Sequence, residues 1–96
     1  MLFALVAHDR PNRVALRMEL RPNHLKFLEG LGDQLKLAGP FLDEDGNMVG
    51  SIVVIEAETL EAARIMFARD PFAIGGLFEQ TAIKPWKIGV NNTNKA

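Results

Sequence analysis

Every position from Leu2 to Ala7 is apolar, so its two alternating faces, Leu2, Ala4 and Val6 against Phe3, Leu5 and Ala7, both call for cover. A buried first strand is predicted there. Arg10, Pro11 and Asn12 interrupt it, and the mixed segment Arg13 to Leu20 predicts a short, weakly patterned helix. Pro22 then reads as the start of another helix, running to about Gln34, because at the first helical turn the missing amide proton would have had no partner. On this helix Phe27, Leu28, Leu31 and Leu35 fall within about 60° of His24 at ~100° per residue, while Lys26, Glu29, Asp33 and Lys36 point away. His24 therefore lies in the middle of an apolar stripe. Gly30 and Gly32 each weaken a helix by about 1 kcal/mol relative to alanine, which implies either close packing or an early end.

Leu35 to Leu42 predicts a second strand, Asp43 to Asn47 a turn, and Ser51 to Ala57 a β-branched third strand, so the pair forms a hairpin. Thr59 caps a helix that carries Glu61 in its first turn and continues through Ala63, Met66 and Phe67 until Pro71 forbids another turn. Asp70, at its end, falls on the apolar side with Ala63 and Phe67. A turn at Gly75-Gly76 precedes a last strand from Phe78 to about Ile88, in which Pro85 calls for an edge or a bulge. Residues 1–90 make one domain and 91–96 a flexible tail. The order strand, helix, strand, strand, helix, strand predicts an α+β fold, a ferredoxin-like βαββαβ plait with one antiparallel sheet and both helices on one face. The other sheet face is also apolar, and a second subunit's sheet is its economical cover, so a homodimer is expected.

Composition narrows the function. With 96 residues the chain buries only about 60 to 65% of its unfolded surface, and association would add buried area. Hydrophobic residues at 48% and charged residues at 24% are globular values. The balance of 11 basic and 12 acidic residues leaves no excess cation for nucleic acid or an anionic membrane surface, so neither partner is expected. No cysteine is present, which removes thiolate zinc sites, iron-sulfur clusters and cysteine nucleophiles. The apolar run Met1 to Ala7 is too short for a signal peptide or a membrane span, and a cytoplasmic protein is expected. Asp43-Glu44-Asp45-Gly46 looks like the start of a calcium loop, but Ile52 stands where the bidentate glutamate is needed, and His8 and His24 lack zinc-ligand spacing. No metal is expected.

Two residues carry the candidate chemistry. An imidazole set among leucines is partly desolvated, and the neutral ring is the form a general base needs, although structural histidines occupy such places too. A carboxylate at a helix C-terminus opposes the helix dipole, which gives Asp70 a reason to have a partner; the plain alternative is an Asp-Pro helix stop. In a plait the start of the first helix and the end of the second can meet at one sheet edge, so Asp70 and His24 can form a catalytic dyad in which the carboxylate orients the ring. Ser51 is a candidate donor to a ligand oxygen, Arg17 and Arg21 are candidates to hold a carboxylate or phenolate, and Phe72 and Trp86 are candidate walls of an apolar pocket.

Met1 to Ala7, Arg21-Pro22-Asn23-His24-Leu25-Lys26-Phe27-Leu28, Ala38-Gly39-Pro40-Phe41, Gly50-Ser51, Asp70-Pro71-Phe72 and Lys84-Pro85-Trp86, taken together and in order, resemble the YciI-like protein family. The resemblance reaches to about Trp86. It implies a dimeric α/β barrel of ferredoxin-like subunits, with a pocket in each near the histidine and the aspartate, and gives His24 and Asp70 the active-site places. One branch of the family resembles a dehydrochlorinase acting on a chlorinated hydroxyhydroquinone, and the superfamily also holds muconolactone isomerases; fold alone does not choose the substrate. His8 stands where many relatives differ, and no role is transferred to it. The expectation is a small cofactor-free enzyme, lyase- or isomerase-like, acting on a small cyclic oxygenated molecule. The alternative is a dimeric module that binds a small metabolite without turning it over.

Overall fold

The structure, a computed structural model, describes residues 1–93. The chain runs β1 (Leu2–Asp9), α1 (Val14–Gly30), a 3₁₀ turn (Gly32–Gln34), β2 (Leu35–Leu42), β3 (Met48–Glu56), α2 (Leu60–Ala68), α3 (Pro71–Ile74) and β4 (Phe78–Trp86). The strands form one antiparallel sheet in the order β2-β3-β1-β4, the ferredoxin-like plait. Apolar β1 and β3 take the central places, and both strand prolines, Pro40 and Pro85, lie in edge strands where a lost ladder donor is tolerated.

Strand alternation sets what each sheet face carries. Phe3, Leu5 and Ala7 of β1 lie in register with Ile55, Val53 and Ser51 of β3. All six are buried, and the apolar five pack with Leu28 of α1 and with Ala63 and Phe67 of α2 to form the core. The intervening residues, Ala4, Val6, Ile52 and Val54, point to the opposite face together with Leu37 and Trp86. No helix among the described residues covers that side, and Leu37 and Trp86 are exposed. The β1–β4 register shifts between His8 and Asp9, an irregularity of the kind that re-aims a side chain.

The helices depart from expectation in three places. The two helices expected either side of Arg21 are one, and Pro22 lies in the interior of α1 instead of at a helix start. Pro22 and Met18 are both exposed, so the backbone bond that proline cannot make is lost on the solvent side, where water replaces it cheaply. The α-helix stops at Gly30, not Gln34, and Gly32 takes φ +58°, which favours glycine; a Cβ at either position would meet nothing, so these glycines end the helix and do not serve close packing. Asp70 is not an awkward C-terminal residue but the N-cap of the separate helix α3, its side chain accepting from the Phe72 N–H at 3.0 Å. Thr59 caps α2 as expected, accepting from the Ala62 N–H at 3.0 Å.

Of the tail expected over 91–96, residues 94–96 lie outside the described residues. Asn91 and Thr93 form a short turn, Asn91 Oδ1 accepting from the Thr93 N–H. No helix among the described residues is long and apolar enough to cross a membrane.

Candidate active site

Helix α1 crosses the β2–β3 half of the sheet, and one line along it, Arg17, Arg21, His24 and Leu28, recurs at three- and four-residue spacing. Between that line and the strands lies a small open cleft of about 100 Å³, floored by Ala38 to Pro40 of β2 and by Ser51 and Val53 of β3. An apolar cavity of about 150 Å³ accepts benzene, so the cleft suits a molecule of one ring with its edge toward solvent.

His24 is 7% exposed and Asp70 2%. Nδ1 of the ring lies 2.8 Å from Asp70 Oδ1 and 2.9 Å from Oδ2, a hydrogen bond joining residues forty-six positions apart. An ionised carboxylate can only accept, so Nδ1 carries the proton and, in the neutral ring, the lone pair is on Nε2. Nε2 has no hydrogen-bond partner among the described residues, and His24 lines the cleft. Phe72, fully buried, stacks on the imidazole with ring centroids 3.8 Å apart and planes 14° from parallel. The joint between α2 and α3 thus holds both the carboxylate that orients the ring and the phenyl group that supports it.

Arg17 is equally fixed. Only 2% exposed, it donates from Nε to Asp9 Oδ2 at 2.7 Å and from Nη2 to Asp9 Oδ1 at 3.1 Å, and its guanidinium lies 4.4 Å from the centre of the Phe72 ring. Nη2 also donates to Ser51 Oγ at 2.7 Å. Asp9 neutralises the buried guanidinium, which would otherwise be very costly to desolvate. Arg21, half-buried at the cleft, makes no hydrogen bond or salt bridge among the described residues, so it is the cation left uncompensated there. The cleft therefore favours an anionic or strongly dipolar guest.

Of the expected site residues, His24, Asp70, Ser51, Arg17, Arg21 and Phe72 are brought together, in different places. Phe72 lies behind His24 and does not line the cleft. Trp86 is on the opposite face of the sheet, because in the β1–β4 register it pairs with Leu2 and so shares the side of Ala4 and Val6. It is no wall of this cleft. Asp9 was not among the expected residues. Its only sequence signal was a carboxylate ending an apolar strand, and nothing in the sequence paired it with Arg17, eight positions on. Among the described residues no group of three metal-ligating side chains occurs.

A four-stranded plait whose helical layer sets an aspartate-held histidine over a small cleft defines a ferredoxin-like α+β protein. The chain belongs to the YCII-related domain family, whose model matches residues 1–87. It is similar to protein YciI of Escherichia coli O6:H1, 36% identical over 95 residues that cover 91% of this chain and 97% of that protein. Among solved structures it is similar to the 5-chloro-2-hydroxyhydroquinone dehydrochlorinase TftG of Burkholderia phenoliruptrix AC1100, captured in complex with 2,5-dihydroxybenzoquinone. The two are 34% identical with a TM-score of 0.85, covering 93% of this chain and 96% of that one. SnoaB, a cofactor-independent oxygenase from Streptomyces nogalater, shares the fold at a TM-score of 0.57 and 12% identity, over 96% of this chain and 95% of that one.

Proposed function

We propose that the chain is a small enzyme of lyase or isomerase type that works with its own side chains on a single-ring, hydroxylated substrate. The observation that carries this is the asymmetry of His24, whose Nδ1 is held by Asp70 while Nε2, beside the cleft, has no partner among the described residues. Nε2 takes a proton from an acidic ring hydroxyl, and the freed electron pair moves into the ring. In an elimination the imidazolium returns that proton to the ring carbon bearing the leaving group, a second ring hydroxyl then gives up its proton, and its electron pair expels the leaving group as an anion, so the substrate loses HX overall with no outside oxidant or reductant. In an isomerisation the imidazolium returns the proton at a different atom. Asp70 stabilises the imidazolium in either case, and Ser51 and Arg21 meet the negative charge that develops on oxygen. The similarity to a dehydrochlorinase captured with a one-ring dihydroxyquinone supports this substrate class, as does the size of the cleft.

The open sheet face completes the proposal. Its apolar residues line a hollow of about 400 Å³, with exposed Leu37 and Trp86 at its rim and the less accessible Ile52 and Val54 beneath, suited to the same face of a second copy. The working form is then a cytoplasmic homodimer of single 1–90 domains, with Trp86 in the interface.

The test is turnover of chlorinated and unchlorinated hydroxyhydroquinones, followed by quinone absorbance and chloride release. His24→Ala should lose at least about 10²-fold in rate while keeping its native circular dichroism. Wild-type rates in that variant would overturn the proposal, and binding by the wild type without turnover would establish a binding module in its place.

A further inference from the structure

The polar groups around the cleft are not interchangeable, because two buried carboxylates have already assigned which of them give protons and which accept. Resting on the reading of the cleft as a site for an oxygenated ring, we infer that Asp9 and Arg17 are positioning residues that fix Ser51 as a hydrogen-bond donor, so that the site selects rings bearing a hydroxyl at one point and a carbonyl or oxyanion at another.

Arg17 has donors and no acceptor, so its 2.7 Å contact with Ser51 occupies a lone pair of Oγ and leaves the hydroxyl proton to be given elsewhere. Ser51 is 3% exposed, and its hydroxyl donates to no acceptor among the described residues. A buried hydroxyl proton without an acceptor is uncommon in a folded protein, and the open space beside it is the cleft it lines. Arg17 cannot swing away to release Ser51, since Asp9 binds it through two nitrogens and Phe72 lies against its guanidinium. Asp9 does not line the cleft and acts only through Arg17.

His24 is assigned in the reverse sense. Asp70 requires the proton on Nδ1, which makes Nε2 of the neutral ring an acceptor. The cleft thus offers a donor from β3 and an acceptor from α1, each oriented by a carboxylate outside it. A ring carrying one hydroxyl and one carbonyl matches both groups, while a ring with a single oxygen matches one.

The experiment measures binding calorimetrically for three one-ring probes: tropolone, which carries a hydroxyl and a carbonyl, tropone, which carries only the carbonyl, and phenol, which carries only the hydroxyl. The wild type should bind tropolone most tightly. Ser51→Ala, which removes only the hydroxyl, should weaken tropolone and tropone about ten- to a hundredfold and leave phenol within about twofold. Asp9→Asn should show the same selective loss from outside the cleft, a pattern that a merely structural role would not give. Ser51→Thr should restore binding of the carbonyl probes. Equal weakening of all three probes by Ser51→Ala, or unchanged tropone binding, overturns the inference and leaves the ring-binding proposal standing. No binding of any probe to the wild type overturns both. Should Asp9→Asn fail to fold, the Ser51→Ala and Ser51→Thr pair decides alone.

Discussion

Asp70 holds two positions at once, cap of α3 and partner of His24, and two substitutions separate them. Asp70→Ala removes the acceptor of the Phe72 N–H and both oxygens facing His24 Nδ1, leaving buried donors without partners. A lost N-cap costs about 1 kcal/mol, and an unsatisfied buried donor about 1 to 3 kcal/mol more, so about 2 to 4 kcal/mol is expected in total. For a domain of this size that corresponds to a fall in Tm of roughly 10 to 25 °C. Asp70→Asn keeps an amide oxygen able to accept from Phe72 N–H and from Nδ1–H, and asparagine caps helices as well as aspartate does, so its cost should stay below about 1 kcal/mol. The assay is urea denaturation of all three proteins at one concentration, because the stability of any associating protein depends on it, with amide exchange at Phe72 as a local report. Phe72 exchange should accelerate strongly in the alanine variant only. An asparagine variant as unstable as the alanine variant would refute the argument, since the charge and not the hydrogen-bonded geometry would then be holding the joint together. An alanine variant within about 1 kcal/mol of wild type would refute it from the other side.

Gly50→Ala would place a Cβ 2.6 Å from the Ala7 carbonyl oxygen and 2.9 Å from Phe41 Cδ2, and should cost about 1 to 3 kcal/mol or more in denaturation; Gly39→Ala, whose Cβ meets nothing within 4 Å, is the control expected near zero. Trp86→Glu should give a monomer in sedimentation velocity while the isolated fold persists, since the ring is already 45% exposed in one chain. At the β2–β3 turn, Asn47 N–H above all, with further hydrogen bonds from the Asn47 side chain and from the Asp45 and Gly46 backbone, holds the Asp43 carboxyl below the usual carboxylate range. A lowered value means that the turn gains from the charge above the ordinary carboxylate range and loses it as pH falls through the lowered value. Amide exchange at Asn47 should therefore gain an acid-induced loosening that Asp43→Asn removes.

How much of this was legible in the chain depends on how local each determinant is. Strand alternation in Leu2 to Ala7 and the β-branched run after Gly50 report directly on burial, and with the order of elements they fix the plait. His24 and Asp70 were visible because each breaks an apolar stripe, a local anomaly whose cause is distant. Pro22 misled because its rule concerns the backbone bond it forbids, and that rule weakens where the freed carbonyl faces water. Trp86 misled because aromatic character does not say which sheet face a residue takes; that follows from the register of β4 against β1. Asp9 gave almost no signal. Its meaning depends on a register shift and on an arginine from the next element, neither of which has a composition.

The site is divided between the two halves of the polypeptide: Asp9, Arg17 and His24 come before the hairpin turn, Ser51, Asp70 and Phe72 after it. On the ribosome, the leading half emerges with Asp9 and Arg17 but without the carboxylate that holds the imidazole, and neither arrangement is finished until Phe72 has cleared the exit tunnel. A product terminated before residue 72 consequently lacks Phe72, and one terminated before residue 70 also lacks the partner of His24.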